Sequence, residues 1–290
     1  MRTCISTYSF TQAVHAGRLD YFDIPAKAAE MGFDCIELAT AGTPAGMPIQ
    51  ELAARFKEKC DQAGLPVENY TIGADFLGEG GVEAQVQSLV SELEIARLLG
   101  VNGMRHDVTH GPRPGSGMRT FDDTLPLLAE GCRAVTIEAE KFGIRTMVEN
   151  HGFFAQDSLR VEKLVSQVNH PNFGLLIDIG NFLCVDEAPE MAVGLVAPLA
   201  AHVHVKDFLW HGGSYPVNGQ GWFGTRAGNF LRGTILGHGV VPVAQCLRIL
   251  HKAGYDGAVS IEFEGVEESL QAIEWSLANL NTCLKSIENG

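Results

Sequence analysis

Apolar and polar positions along this chain follow two alternating periods. Short β-rich apolar runs are each followed by a longer stretch in which apolar residues recur every three or four positions. Val86, Leu89, Val90, Leu93 and Ala96 make one such stripe, and Leu125, Leu128, Cys132, Val135, Ala139 and Phe142 make another. Each stripe can bury one face of a helix. Five of the stripes end in the same mark, a glycine followed by an apolar residue: Met31-Gly32-Phe33, Ala63-Gly64-Leu65, Leu99-Gly100-Val101, Phe142-Gly143-Ile144 and Ala253-Gly254-Tyr255. Glycine just past a helix end supplies the left-handed conformation that closes the helix. Successive marks lie 32, 36, 43 and 111 residues apart. The last interval holds two further units, bounded by Asn169-His170-Pro171-Asn172 and Ala197-Pro198.

The pattern predicts strands near residues 2–8, 34–38, 66–72, 102–108, 145–150, 174–179, 201–206 and 257–263, alternating with eight helices. Strands joined through helices run parallel. A count of eight, with no Gly-x-Gly-x-x-Gly after the first strand, selects a closed (β/α)8 TIM barrel of the α/β class over an open doubly wound sheet. No linker interrupts it, so residues 1–290 read as one domain. One connection departs from the repeat. Residues 208–239 hold nine glycines together with Trp210, Tyr215, Trp222, Phe223 and Phe230, and are expected to form a long loop over the C-terminal mouth, acting as a lid or as an oligomer contact.

Composition narrows the function classes. Hydrophobic residues make up 46% and charged residues 19% of the chain, the balance of an ordinary globular protein. With 21 Lys and Arg against 35 Asp and Glu the formal charge is −14, and no basic run offsets it, so a nucleic-acid partner is not expected. Seven dispersed cysteines without a Cys-x-x-Cys pair read as reduced packing residues. Met1 to Ile5 enters strand-like sequence directly, without the features of an export signal, and no window approaches about 18 uninterrupted apolar residues. The expectation is a cytoplasmic protein with no membrane partner.

The chemistry concentrates at four strand ends. Val148-Glu149-Asn150-His151, Ile177-Asp178-Ile179-Gly180-Asn181, His202-Val203-His204-Val205-Lys206-Asp207 and Ile261-Glu262-Phe263-Glu264 carry acidic or imidazole groups where packing alone would place apolar ones. They fall on strands five to eight, adjacent around a barrel. Alternation puts His202, His204 and Lys206 on one face of strand seven, and Ser260, Glu262 and Glu264 on one face of strand eight. A buried carboxylate is costly unless it surrounds a cation. A set of three carboxylates and one imidazole is hard and oxygen-rich, suited to one divalent ion: Mn2+ or Mg2+ first, with Co2+ or Zn2+ also admissible. After strand four, Arg105, His106 and His110 stand at the rim where substrate contacts form, and Trp210 offers a surface on which a sugar ring can stack.

The chain resembles the xylose-isomerase-like barrel superfamily, which includes ketose 3-epimerases, hydroxypyruvate isomerase and keto-inositol dehydratases. The resemblance spans nearly the whole chain. Its specific part is Met147-Val148-Glu149-Asn150, Leu176-Ile177-Asp178, His202-Val203-His204-Val205-Lys206-Asp207 and Ser260-Ile261-Glu262. It implies Glu149, Asp178, His204 and Glu262 as metal ligands. It further implies Glu149 and Glu262 as an acid/base pair that passes a proton through an enediolate of a small carbohydrate-like substrate, in a homo-oligomer, dimer or tetramer. A metal polarising a carbonyl and its neighbouring hydroxyl acidifies the C–H between them, so a carboxylate on each face can remove or return the proton.

Departures from the epimerase pattern keep a second reaction open. Asn181 stands where epimerases present a substrate-binding histidine; it can hydrogen-bond a hydroxyl but cannot shuttle protons. His151 and Lys206 resemble the dehydratase branch, in which a hydroxyl beside a ketone is eliminated. His151 then protonates the leaving group or orients a ligand, and Lys206 meets an enolate oxygen or pairs with Asp207 or Glu264. The function expected is a metal-dependent isomerase or epimerase of a keto-sugar or related polyol, with a metal-dependent dehydratase or lyase as the alternative. An apurinic endonuclease, whose barrel is related, is disfavoured by Asn181 and by the −14 charge; a non-catalytic sugar-binding barrel would lack the metal.

Overall fold

Side chains alternate between the two sides of each central strand, and in this chain the two sides differ sharply. Ile5, Ile36, Leu38, Tyr70, Met104, Val148, Leu175, Ile177, Val203, Val205, Val259 and Ile261 join one large buried apolar cluster with the helices. The intervening residues turn to the barrel interior, where alternation places Ser6, Glu37, Asn69, Arg105, Glu149, Asp178, His202, His204 and Ser260, every one of them buried. Barrels of this kind ordinarily fill that interior with branched apolar residues. This one devotes it largely to polar groups, and each of those needs a partner.

The computed structural model describes residues 1–288. Its strands are β1 (Arg2–Ser6), β2 (Cys35–Ala39), β3 (Val67–Ile72), β4 (Gly103–His106), β5 (Arg145–Glu149), β6 (Phe173–Asp178), β7 (Ala200–Val205), β8 (Asp207–His211), β9 (Phe223–Gly224), β10 (Phe230–Thr234) and β11 (Ala258–Ile261). The order β1-β11-β7-β6-β5-β4-β3-β2 closes into a barrel, with every neighbouring pair parallel. The helices are α1 (Thr11–His15), α2 (Ile24–Met31), α3 (Ile49–Ala63), α4 (Gly81–Leu99), α5 (Phe121–Glu140), α6 (Ser158–Val168), α7 (Pro189–Val196), α8 (Val243–Lys252) and α9 (Ser269–Glu288). The (β/α)8 barrel read from the pattern is therefore the fold, and the short α1 is an addition to it.

Local chemistry sets the helix limits. Thr120 and Asp123 form a capping box at the start of α5, and Asp157 accepts the Arg160 amide at the start of α6. The five glycines expected to close helices, Gly32, Gly64, Gly100, Gly143 and Gly254, all have φ between 65° and 95°. Among the described residues all seven cysteines are free, and no helix is long and apolar enough to cross a membrane.

Residues 208–239 depart from the open loop expected. β8, β10 and β9 form a three-stranded antiparallel sheet in which Asp207 to His211 pairs with Thr234 to Phe230. The scattered glycines mask the strand signal, yet the antiparallel ladder gives the two flanks of this segment backbone partners. Its base is tied by one carboxylate: Asp207 accepts amide hydrogens from Phe208 (2.9 Å), Gly237 (2.8 Å), Gly239 (2.9 Å) and Val241 (3.0 Å).

Candidate metal centre and active site

Strands β5, β6, β7 and β11 stand side by side, so the C-terminal ends of four distant segments meet at one rim. Glu149 ends β5, Asp178 ends β6, His204 lies near the end of β7, and Glu262 follows the last residue of β11. The Glu262 amide donates to the Val205 carbonyl (3.0 Å), which continues the β11–β7 ladder far enough to aim its side chain inward. One ligand-type atom from each of the four residues lies within 4.8 Å of the others. Four atoms bonded at roughly 2.0–2.6 Å to a common centre would span such distances.

Neighbouring residues hold each of the four in place. Asn150, next to Glu149, donates to the Asp178 carbonyl (2.9 Å) and accepts the Asp178 amide (2.8 Å), an extra rung that locks the end of β6 to β5. Asp178 Oδ1 accepts the amides of Gly180 (2.8 Å) and Asn181 (3.0 Å). Glu149 Oε1 accepts from Asn181 Nδ2 (2.8 Å), and Glu149 Oε2 pairs with Arg105 Nη2 (2.7 Å). Asp178 Oδ2 and His204 Nδ1 are different: both are buried and neither makes a hydrogen bond. His204 Nδ1 has no hydrogen-bond partner, and Asp178 Oδ2 has only the Lys206 ammonium 3.1 Å away to offset its burial. Hard oxygen donors around one imidazole nitrogen are what a divalent cation requires, so this buried acidic and imidazole group can hold a metal.

The local field has the same sense. Burial alone would lower the basicity of His204, but Glu37, Glu262 and Glu149 reverse that and bring it up to about 10. Burial pushes the Asp178 carboxyl up, and Lys206 only partly opposes it. Glu262 goes the other way: burial raises it, but the Lys206 ammonium and His204 together outweigh burial and hold it below the usual carboxylate range. Lys206 Nζ lies 3.1 Å from Asp178 Oδ2 and 2.6 Å from Glu264 Oε1, and it also donates to Glu262 Oε2.

A cavity of about 460 Å3 opens above the cluster. Glu149 and Glu262 line it, whereas Asp178 and His204 do not. Arg105, Asp107, His151, Tyr8 and Glu264 also line it. Of the residues read from the sequence as substrate contacts, His151 borders the cavity, its Nδ1 donating to Asp107 Oδ1 at 2.9 Å. Asn181 and Lys206 are buried and engage the carboxylates rather than the cavity surface.

His106 and Trp210 do not line this cavity. Alternation along β4 sends Arg105 inward and His106 outward, where it is fully buried against Phe76 with ring centroids 5.8 Å apart. Its Nδ1 donates to the Asp107 carbonyl (2.7 Å). Trp210 belongs to β8 and, half exposed, lines a separate surface cavity with Leu183 and Pro242.

Two residues at the site escaped the sequence reading. Asp107 accepts from both Arg105 (2.7 Å) and His151 (2.9 Å), joining the wall of the cavity to Glu149. Glu37 lies in β2 at the barrel centre, fully buried, with Oε1 2.7 Å from His204 Nε2 and Oε2 3.1 Å from His202 Nε2. The signal for Glu37 was present: Ile36-Glu37-Leu38-Ala39 interrupts an apolar strand with an acid, as the four chosen strand ends do.

A family model described as Xylose isomerase-like TIM barrel matches residues 25–283. Among curated proteins, the chain is 29% identical over 150 residues to the 3-oxo-isoapionate decarboxylase of Pectobacterium atrosepticum, covering 50% of this chain and 47% of that one. It is 28% identical over 146 residues to the inosose dehydratase of Clostridium beijerinckii, covering 49% and 48%. The matched segment thus spans about half the length of these relatives, both of which are enzymes. Solved structures with the same fold include the IolI protein with a binding zinc atom (TM-score 0.74, 15% identity, 99% of both chains). Another is D-psicose 3-epimerase in the presence of D-fructose (TM-score 0.71, 17% identity, 98% and 99%).

Proposed function

Given that the chain belongs to the xylose isomerase-like TIM barrel family, we propose that it is a divalent-metal-dependent isomerase or epimerase that moves a proton beside the carbonyl of a small keto-sugar or related polyol. One observation carries this reading. Of the four clustered residues, the two glutamates line the cavity and the other two are fully buried out of it. Glu149, Asp178, His204 and Glu262 would hold the ion, Mn2+ or Mg2+ by the hardness of the set. The ion, when bound, supplies polarisation of a substrate carbonyl and its adjacent hydroxyl.

The protein's own residues do the rest. Glu262 is kept ionised by Lys206, which favours the charged carboxylate. Glu149 is held by Arg105 and Asn181 through separate oxygens, so its carboxyl stays oriented towards the cavity while a proton passes to or from it. With a substrate between them, one glutamate withdraws the proton from carbon and the other returns one to the opposite face or to the neighbouring carbon. The proposal includes a carbohydrate-like substrate, a homo-oligomeric assembly and no nucleic-acid partner.

A second reading, elimination of a hydroxyl from a keto-sugar or keto-inositol, is favoured by His151. It borders the cavity and is oriented through Nδ1 by Asp107, so it can hand a proton to a departing hydroxyl. The named curated relatives, a decarboxylase and a dehydratase, also break carbon bonds to leaving groups. Incubation with Mn2+ and a panel of ketoses and keto-inositols in deuterated water separates the two. Isomerase or epimerase action returns sugar carrying deuterium on carbon, whereas elimination yields an absorbing enone. Neither outcome with any member of the panel would leave the proposal without support.

A further inference from the structure

β2 and β7 are not neighbours in the barrel; β1 and β11 lie between them. Even so, Glu37 from β2 meets both imidazoles on the inner face of β7, with Oε1 2.7 Å from His204 Nε2 and Oε2 3.1 Å from His202 Nε2. The intervening strands leave room for this reach. Ser6 of β1 is in register with Glu37, and Ser260 of β11 is in register with His204; both are small and fully buried.

We propose that Glu37 is a positioning residue for the metal centre, a carboxylate that takes the Nε2 side of His204 and leaves Nδ1 as the nitrogen presented to Glu149, Asp178 and Glu262. The inference rests on the metal-centre reading above. A neutral imidazole carries its hydrogen on one nitrogen and its lone pair on the other; the Glu37 carboxylate, 2.7 Å from Nε2 although off the line of a hydrogen bond, favours the form with the hydrogen on that side and the lone pair on Nδ1. That nitrogen has no hydrogen-bond partner and lies 3.8 Å from Glu262 Oε1 and 4.0 Å from Asp178 Oδ2.

His202 completes the arrangement. By occupying the second oxygen of Glu37 it fixes the carboxylate itself, and its ring stands edge-on to that of His204 at 5.5 Å and 78°. Glu37, His202 and His204 could by composition hold an ion of their own. They already contact one another directly in a sealed part of the barrel, so the inference predicts one ion per chain.

The test is calorimetric titration of Mn2+ into the chelator-treated full chain, unmodified and as Glu37→Gln. The expected result is one site per chain and a 10–100-fold loss of affinity in the variant, with circular dichroism and the unfolding midpoint retained. Equal affinity in the two proteins overturns the inference while leaving the metal centre standing. A purely structural role gives that result too, lowering the midpoint without altering affinity of the folded protein. No binding by the unmodified protein removes the centre and the inference together, and a second ion that disappears in Glu37→Gln also overturns it. Should Glu37→Gln fail to fold, nitrogen NMR of the unmodified, histidine-labelled, Zn2+-loaded protein decides. His204 protonated at Nε2 and metal-shifted at Nδ1 is expected, and the reverse assignment is fatal to the inference.

Discussion

Two histidines of this protein are completely buried, and their basicities lie on opposite sides of the ordinary value. His106, turned towards the helix layer, is brought down to about 4 by burial, with its backbone carbonyl partner recovering only part of the loss. His204, turned towards the barrel axis, is brought up to about 10 because Glu37, Glu262 and Glu149 more than reverse the effect of burial. Depth does not distinguish them; the charges within reach do. The helix layer treats an imidazole as a packing group, whereas the barrel interior surrounds it with anions and makes it a place where a proton or a cation belongs.

The strongest way to break this contrast is to remove one of the anions that borders the cavity. Glu262→Gln is expected to lower turnover by about 10²–10⁴ with the fold retained, the range for loss of a positioned acid or base. Deuterium exchange into substrate at saturating metal measures it, and normal exchange in the variant would sink the assigned site.

The opposite pKa shifts give two pH predictions of opposite sign. For His106 the folded value of about 4 lies below the unfolded value near 6.5. Its contribution to stability is therefore intact above pH 6.5 and is lost as pH falls towards 4, a cost on the order of 3 kcal/mol. Denaturation midpoints at pH 7 and pH 4.5 should fall further in the unmodified protein than in His106→Gln; equal falls would remove the argument. For His204 the folded value of about 10 lies above the unfolded one, so in the metal-free protein its contribution is full below pH 6.5 and fades as pH rises through about 10. A metal must displace that proton. Mn2+ affinity should accordingly rise by about tenfold per pH unit between pH 6 and pH 8 for each proton released, and a pH-independent affinity in that window would contradict it. The smallest effect is expected at Trp210, which lies outside the cavity: Trp210→Ala should leave kcat/KM within about twofold, in line with a surface change away from the chemistry.

This contrast also explains what could be read from the sequence. The four clustered residues were legible because an acid or histidine at the end of an apolar strand has few other uses, and adjacent strands bring such ends together. The boundaries proved slightly generous: β11 ends at Ile261 and Glu262 follows it. Glu37 carried the same anomaly but sits in mid-strand, and its partners lie across two intervening strands, a distance that periodicity does not encode. His106 shows how parity matters, since one step along β4 separates the inward Arg105 from the outward His106. Residues 208–239 were read as irregular because glycine interrupts any period-two signal, although Phe208, Trp210, Phe230 and Arg232 lie within paired strands.

The four amide hydrogens gathered by Asp207 have a bearing on how the outgrowth is held. They bind the root of the β8–β10–β9 outgrowth to the barrel, and Asp186 ties the β9–β10 turn a second time through Thr225 (2.7 Å) and Asn229 (2.8 Å). The outgrowth thus hangs on the barrel from two separate carboxylates.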